Sequence, residues 1–310
     1  MNFSFSHLKP KLLPLYILLL LGMASCEDLI MPELEQVDAL VVIDAWINNK
    51  PENQLIRISQ TQPFFTNQLP PGIGGATVVV TDEHGGVFEF MESPTSAGEY
   101  WWVPTANETL GEVGELYTLT VVLNGETYEA HARVGRVPQI NNITLTFEAA
   151  DAFQPDSFIA EFWAIDPLGR DDTYWIKTWK NGTLLNKPVE INLAYDAGFS
   201  AGGNFDGVNF ITPIRQGINP VDEDEDGELL SPYQPGDSVR VEIHSITIQA
   251  FNFLNEVKIQ TDRPGGFSEL FATPLSNVST NIVNKNNPDG QVLGFFNVAA
   301  VSGLGKKLFP

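Results

Sequence analysis

The chain has 310 residues, with 39 Asp and Glu against 17 Lys and Arg and a net charge of −22. So acidic a chain is excluded from nucleic-acid binding by phosphate neutralisation, and its single cysteine excludes an intrachain disulfide. Hydrophobic residues make up 43%, with 26 Gly and 21 Pro, which is the composition of a loop-rich globular protein and not of a disordered one.

The first segment reads in order as basic, apolar and small. Lys9 and Lys11 precede an apolar run from Leu12 to Leu21, interrupted by Pro14, and Ala24 and Ser25 follow. That order is the layout of a secretory signal, and the run is shorter than the roughly 20 residues that span a bilayer. Cys26 comes next, and a Cys directly after small residues resembles the lipobox of bacterial lipoproteins, here with Met23 where Leu is commonest. The resemblance implies a signal peptide over 1–25 and lipidation of Cys26 as the first mature residue. Loss of Lys9 and Lys11 then takes the net charge from −22 to −24. Anionic lipid repels such a chain, so attachment to outer-membrane lipid falls to the acyl chains. Residues 26–38 form an acidic tether with Glu27, Asp28, Glu33, Glu35 and Pro32. Acidic residues just after the lipidated Cys resemble the signal that carries Bacteroidetes lipoproteins to the outside of the outer membrane.

The body predicts an all-β fold of two β-sandwich-like modules, the first Ig-like. Over 39–137, strands are expected at 40–47, 53–60, 76–82, 87–90, 117–123 and 126–132. Asn124-Gly125 between two alternating runs is a strong hairpin signal, because both residues tolerate positive φ. Gly135 to Pro138 reads as a joint. Over 138–310, strands are expected at 140–148, 157–166, 174–179, 183–185 and 239–246, with a hairpin turn at Asn181-Gly182. Phe251, Leu254 and Val257 fall at helical spacing and predict one helix near 248–259. Short strands are expected again at 267–271 and 292–301.

Several segments in this order match one family. They are Leu40 to Ile47, Arg57-Ile58-Ser59-Gln60-Thr61 with Pro63-Phe64-Phe65, Gly75-Ala76-Thr77-Val78 and Gly114 to Leu119. Phe271-Ala272-Thr273-Pro274, Asn281-Ile282 and Gly294-Phe295-Phe296 complete the set. The chain resembles the Bacteroidetes lipoprotein family catalogued as domain of unknown function 4249. Members look like outer-membrane lipoproteins, often encoded near TonB-dependent receptors, so the resemblance implies an accessory role in nutrient capture. It carries over no catalytic residue.

The chemistry-bearing residues are few. There is no Gly-x-Ser-x-Gly elbow, and His7, His84, His131 and His244 have no zinc-ligand spacing. Gly72 to Gly75 lacks the Lys-Ser/Thr and helix of a phosphate loop. Asp222, Asp224 and Asp226, with Gly227 at the sixth position, match the first half of an EF-hand-type calcium loop. Glu228 could supply its carbonyl and Asp237 could close the shell, while Tyr233 stands at the twelfth position, where a bidentate Glu belongs. The alternative is a solvated acidic loop. Trp101 and Trp102 are consecutive and must alternate faces on a strand, and Trp175 and Trp179 share a face; each is a candidate stacking platform or a packing residue. The sequence therefore points to a non-enzymatic lipoprotein that binds a ligand or partner beside a TonB-dependent transporter. An adhesin or structural envelope protein is the alternative. A hydrolase using carboxylates such as Asp166 and Asp171 is a third reading.

Overall fold

Alternation of apolar and polar residues builds the strands that dominate the regular structure, and the fold is all-β. A computed structural model describes residues 38–310 except 64, 65, 67, 106, 107, 109, 151–155, 226, 228, 264, 273 and 310. Residues 1–37, on which the expected signal peptide, the lipidation of Cys26 and most of the expected tether fall, lie outside the described residues.

The first strands are β1 (Val41–Asn48), β2 (Gln54–Gln60), β3 (Thr77–Asp82), β4 (Val87–Glu92), β5 (Glu99–Trp102), β6 (Leu116–Leu123) and β7 (Glu126–Arg133). Their inward side chains include Ile43, Ala45, Ile47, Ile56, Ile58, Val78, Val80, Leu119 and Val121, all buried in one core. Burial of each Ile, Val or Leu among them contributes about 1.5–3 kcal/mol. The Asn124-Gly125 turn joins β6 to β7 with φ of 52° and 84°, the positive pair that a two-residue hairpin requires. Tyr117, near the start of β6, accepts from the Gly111 N–H at 2.9 Å and donates to Glu115 at 2.9 Å. This tyrosine corner ties the strand to the loop before it, as in Ig-like sandwiches.

The second stretch holds β8 (Ile140–Glu148), β9 (Ser157–Ala164), β10 (Thr173–Lys180), β11 (Thr183–Leu184), β12 (Asn192–Tyr195), α1 (Thr212–Gln216), β13 (Ser238–Ile246), α2 (Ile248–Thr261), β14 (Val283–Asn284), β15 (Leu293–Ala299) and β16 (Val301–Lys307). The helix expected near 248–259 is α2, capped by Thr247, whose hydroxyl accepts from the Ala250 N–H at 3.2 Å. Among the described residues no helix is long and apolar enough to cross a membrane. The strand expected at 267–271 is instead a 3-10 helix over Gly266–Phe271, because left-handed backbone at Gly265 turns the chain just before it. The run expected at 292–301 breaks at Ala300, and its two halves enter different sheets.

Nine strands form one sheet in the order β14-β7-β6-β3-β4-β5-β2-β1-β15. All pairs are antiparallel except β1 with β15. Gly294 makes that parallel pair feasible. It has φ of 95°, and a Cβ there would sit 2.0 Å from the Ile43 carbonyl oxygen. Asn281 bridges the sheet's far sides, donating to the Phe296 carbonyl at 2.8 Å and to the His131 carbonyl at 3.4 Å. The sheet thus curls back on itself around its core. The expected boundary at 137/138 is crossed, since β14 and β15 from the C-terminal stretch complete both edges of this sheet, and residues 39–310 make a single unit.

A second sheet runs β11-β10-β13-β16, with β12 also on β10, and β8 pairs with β9 alone. Its core holds Phe162, Tyr174, Ile176, Phe210, Tyr233, Val241 and Ile243. A third cluster packs α2 through Phe251 and Leu254 against Leu193, Tyr195 and Phe295, with Trp46 and Trp175 at its margin.

Candidate functional site

The alternation that buries Ile43, Ala45 and Ile47 turns Asp44 and Trp46 outward on β1. Asp44 lies opposite Arg57 of β2, which lies opposite Glu99 of β5 and reaches its carboxylate at 3.5 Å. On β10 the same rule buries Tyr174, Ile176 and Thr178 and turns Trp175, Lys177 and Trp179 outward. Their neighbours on β13 are His244, Glu242 and Arg240.

The two outward faces meet through their aromatic rings. Trp46 packs edge-on against Trp175 at 5.3 Å and stacks on Phe295 at 5.6 Å. Lys50, just past β1, reaches Glu242 at 3.1 Å. Glu242 is 3% exposed and also accepts from His244 Nε2 at 3.0 Å and from Arg240. Burial alone would raise its pKa, but the hydrogen bonds from His244, Arg240 and Lys50 outweigh this and hold it at about 2. Burial pushes His244 down to about 4 against the pull of Glu242, so its imidazole is neutral at pH 7.

Lys177 behaves differently. Its ammonium lies 3.9 Å from the centre of the Trp175 ring, a cation–π contact. Burial lowers its pKa to about 8, opposed by Glu242 and Asp44. Asp44 is exposed, yet burial raises its pKa, with Arg57, Lys177 and a hydrogen bond from Trp46 acting in the other direction.

The four tryptophans separate by face. Trp102 turns inward and packs on Phe88 at 5.4 Å, so it is a core residue and not a stacking platform. Trp101 turns outward beside exposed Met91 and Val103. Trp179 lies under the Arg240 guanidinium at 4.8 Å, and Trp175 is held between Trp46 and Lys177. Trp46 lies in the family-matching segment Leu40 to Ile47, but nothing in the sequence singled it out as a site residue; its outward register on β1 does.

A family model described as Domain of unknown function (DUF4249) matches residues 27–303. The chain belongs to this family. No curated protein matches it.

In this DUF4249 chain the acidic loop sits beside an apolar groove of about 380 Å³ lined by Ile159, Val189, Val221, Leu229 and Leu230. Asp222 accepts from Lys187 Nζ at 2.6 Å. Asp237 accepts from Asn181 at 2.8 Å and from the Gln234 N–H at 2.9 Å, bonds that hold the β10–β11 hairpin. The Asn181 bond lowers the pKa of Asp237, with the Gln234 N–H and Lys180 acting the same way against burial. Gly227 has φ of 81°, the sharp turn expected of it. Asp226 and Glu228 lie outside the described residues. Among the described residues, Asp222, Asp224 and Asp237 do not converge into a ligand group.

Two other groups do converge. Asp166, Asp172 and Asp196 bring carboxylate oxygens within 4.8 Å of one another, and Asp82 and Glu115 do so with a ring nitrogen of His84 at an exposed turn. In the first group Asp166 accepts from the Tyr174 hydroxyl at 2.7 Å, Asp172 pairs with Arg136 at 2.5 Å, and Asp196 accepts from the Asp172 N–H at 3.0 Å. Burial pushes Asp166 up to about 6 despite the Tyr174 bond. Asp171, named with Asp166 on sequence grounds, is bonded instead by the Tyr195 hydroxyl at 2.5 Å. These bonds knit the loops around 166–172 and 195–207 together.

Proposed function

We propose that this protein is a lipid-anchored outer-membrane protein that captures a ligand or partner for a TonB-dependent transporter, without catalysing a reaction. What supports the reading is the junction of the two sheets, where Trp46 packs on Trp175, Lys177 lies over the Trp175 ring and Asp44 is exposed beside Trp46 on β1. Aromatic walls with a few charged groups make a recognition surface. The lipobox-like segment ending at Cys26 supports the anchor, and Glu27 and Asp28 support an outward-facing position. The groove beside the acidic loop offers a second surface on which a transporter could sit.

The test is co-purification. The full chain, expressed in its own host and extracted in mild detergent, brings down a TonB-dependent receptor, and the Cys26→Ala variant loses both palmitate labelling and the receptor. Recovery of the unmodified protein only from soluble periplasm overturns the proposal.

A further inference from the structure

At the far end of the second sheet a cavity of about 470 Å³ is lined by Trp179, Gly182, Arg240, Gly305, Lys306 and Lys307. Its size is that of a small-molecule site. Strand register builds it. Trp179 of β10 lies opposite Arg240 of β13, which lies opposite Gly305 of β16. The third place in this row is a glycine, and a Cβ there would meet nothing nearer than the Val239 carbonyl oxygen at 4.0 Å. The row therefore ends in an open shelf beside the indole. Lys307 stands opposite Ser238, diagonal to Arg240 on the same face. Such diagonal neighbours are roughly 7–8 Å apart, so one small anion can touch both.

The cations on this shelf have donors to spare. Arg240 gives Nη2 to Glu242 and lies over the Trp179 ring, while Nε and Nη1 meet no acceptor among the described residues. Lys307 has no carboxylate partner among the described residues; its ammonium lies 5.6 Å from the centre of the Phe309 ring. Lys306 bonds neutral oxygens, Asn142 Oδ1 at 3.1 Å and the Ile143 carbonyl at 2.6 Å, so its charge is not cancelled there. The nearby carboxylates are occupied: Glu242 is 3% exposed, and Asp237 is held by Asn181, the Gln234 N–H and Lys180. In a chain of net charge −22 with 17 basic residues, three of them on one cavity reverse the sign of the local field.

We propose that this cavity binds a small organic anion that carries a ring. The ring lies on the Gly305 shelf against the Trp179 indole, and the acid group accepts from Arg240 and Lys307. A neutral ring lacks the group for the two cations, and a small acid without a ring leaves the indole and the shelf uncovered. The inference rests on the ligand-capture reading above and names a ligand class and its place.

Isothermal titration calorimetry and tryptophan fluorescence on the full-length acylated protein in detergent test this. The probes are D-glucuronate, a sugar acid, and benzoate, an aromatic acid, with D-glucose and acetate as the ring and the charge alone. At least one of the two acids binds with Kd below about 10 mM and the controls bind at least tenfold more weakly. Whichever acid binds more tightly tells a sugar ring from an aromatic one. Lys307→Met weakens binding by roughly tenfold, and raising salt from about 50 mM to about 500 mM weakens it several-fold. Gly305→Leu fills the open shelf and removes binding, with little effect on folding because the site of the new side chain is empty. If Lys307→Met fails to fold, Gly305→Leu and the salt series decide. No binding by either acid, controls that bind as tightly, or affinity unchanged in the variants and with salt overturns the inference. A receptor that still co-purifies in that case leaves the capture reading standing and removes only the ligand class.

Discussion

Replacing Glu242 by Gln keeps the shape of the side chain and removes its charge. In the folded protein this carboxylate is 3% exposed and serves Lys50, Arg240 and His244 together. Its pKa falls from 4.5 to about 2 on folding, and at about 1.4 kcal/mol per pH unit that is about 3 kcal/mol of stability at neutral pH. Breaking a buried ion pair from one side costs a similar 3–5 kcal/mol or so, so two routes agree. A domain of this size loses roughly 2 °C of Tm per kcal/mol, so E242Q melts about 6 °C lower at pH 7. The sign with pH follows from the lowered pKa. The contribution of Glu242 is complete above 4.5 and is lost as pH falls from 4.5 toward 2. Urea unfolding of wild type and E242Q at pH 7, 5, 4 and 3 therefore shows a constant gap that closes below pH 4.5. A gap under about 1 kcal/mol at pH 7, or one that does not narrow in acid, refutes the reasoning.

His244 supplies a separate pH window, because its folded pKa of about 4 lies below the ordinary 6.5. Its contribution is present above pH 6.5 and lost as pH falls toward 4, so His244→Gln flattens the stability curve there relative to wild type; an unchanged slope counts against a neutral buried imidazole. Trp102→Ala lowers stability by about 3–5 kcal/mol by opening the core beside Phe88, whereas Trp101→Ala changes it by less than about 1 kcal/mol, and denaturant midpoints in the reverse order would put the other ring inside. Gly294→Ala drives a Cβ into the Ile43 carbonyl at a positive φ and costs more than about 3 kcal/mol. A variant as stable as wild type rules out the β1–β15 register.

Much of this fold was legible because its signals are local. Alternation gave β1, β2, β3, β6 and β7, the Asn-Gly pairs gave both hairpin turns, and Phe251 and Leu254 gave α2. The inward and outward tryptophans at 101 and 102 followed from strand geometry, though which of the two turns inward needed the neighbouring Phe88. The return of β15 to β1 was not legible, since pairing across about 250 residues leaves no short-range trace. The break at Ala300 hid for the same reason, because an apolar run does not say which sheet each half joins. The meeting of the two outward faces needed tertiary structure altogether. Trp46 and Trp175 are ordinary outward residues on their own strands, and only the meeting of two faces packs their rings together. The acidic loop, by contrast, was conspicuous in sequence, yet Asp222 is occupied by Lys187 and Asp237 by a hairpin.

The pairing of β1 with β15 also sets an order of events in folding. A chain emerging from its N-terminus makes the hairpins β1–β2, β3–β4 and β6–β7 early, since each closes a short loop. The outer edge of β1 stays bare until residues 293–299 arrive, and β7 waits likewise for β14. An unfinished chain therefore carries two sticky strand edges at once. Release of the last residues is what converts an aggregation-prone half-sheet into a sealed one, so a truncation before residue 293 is expected to fail by self-association and not by simple loss of a terminus.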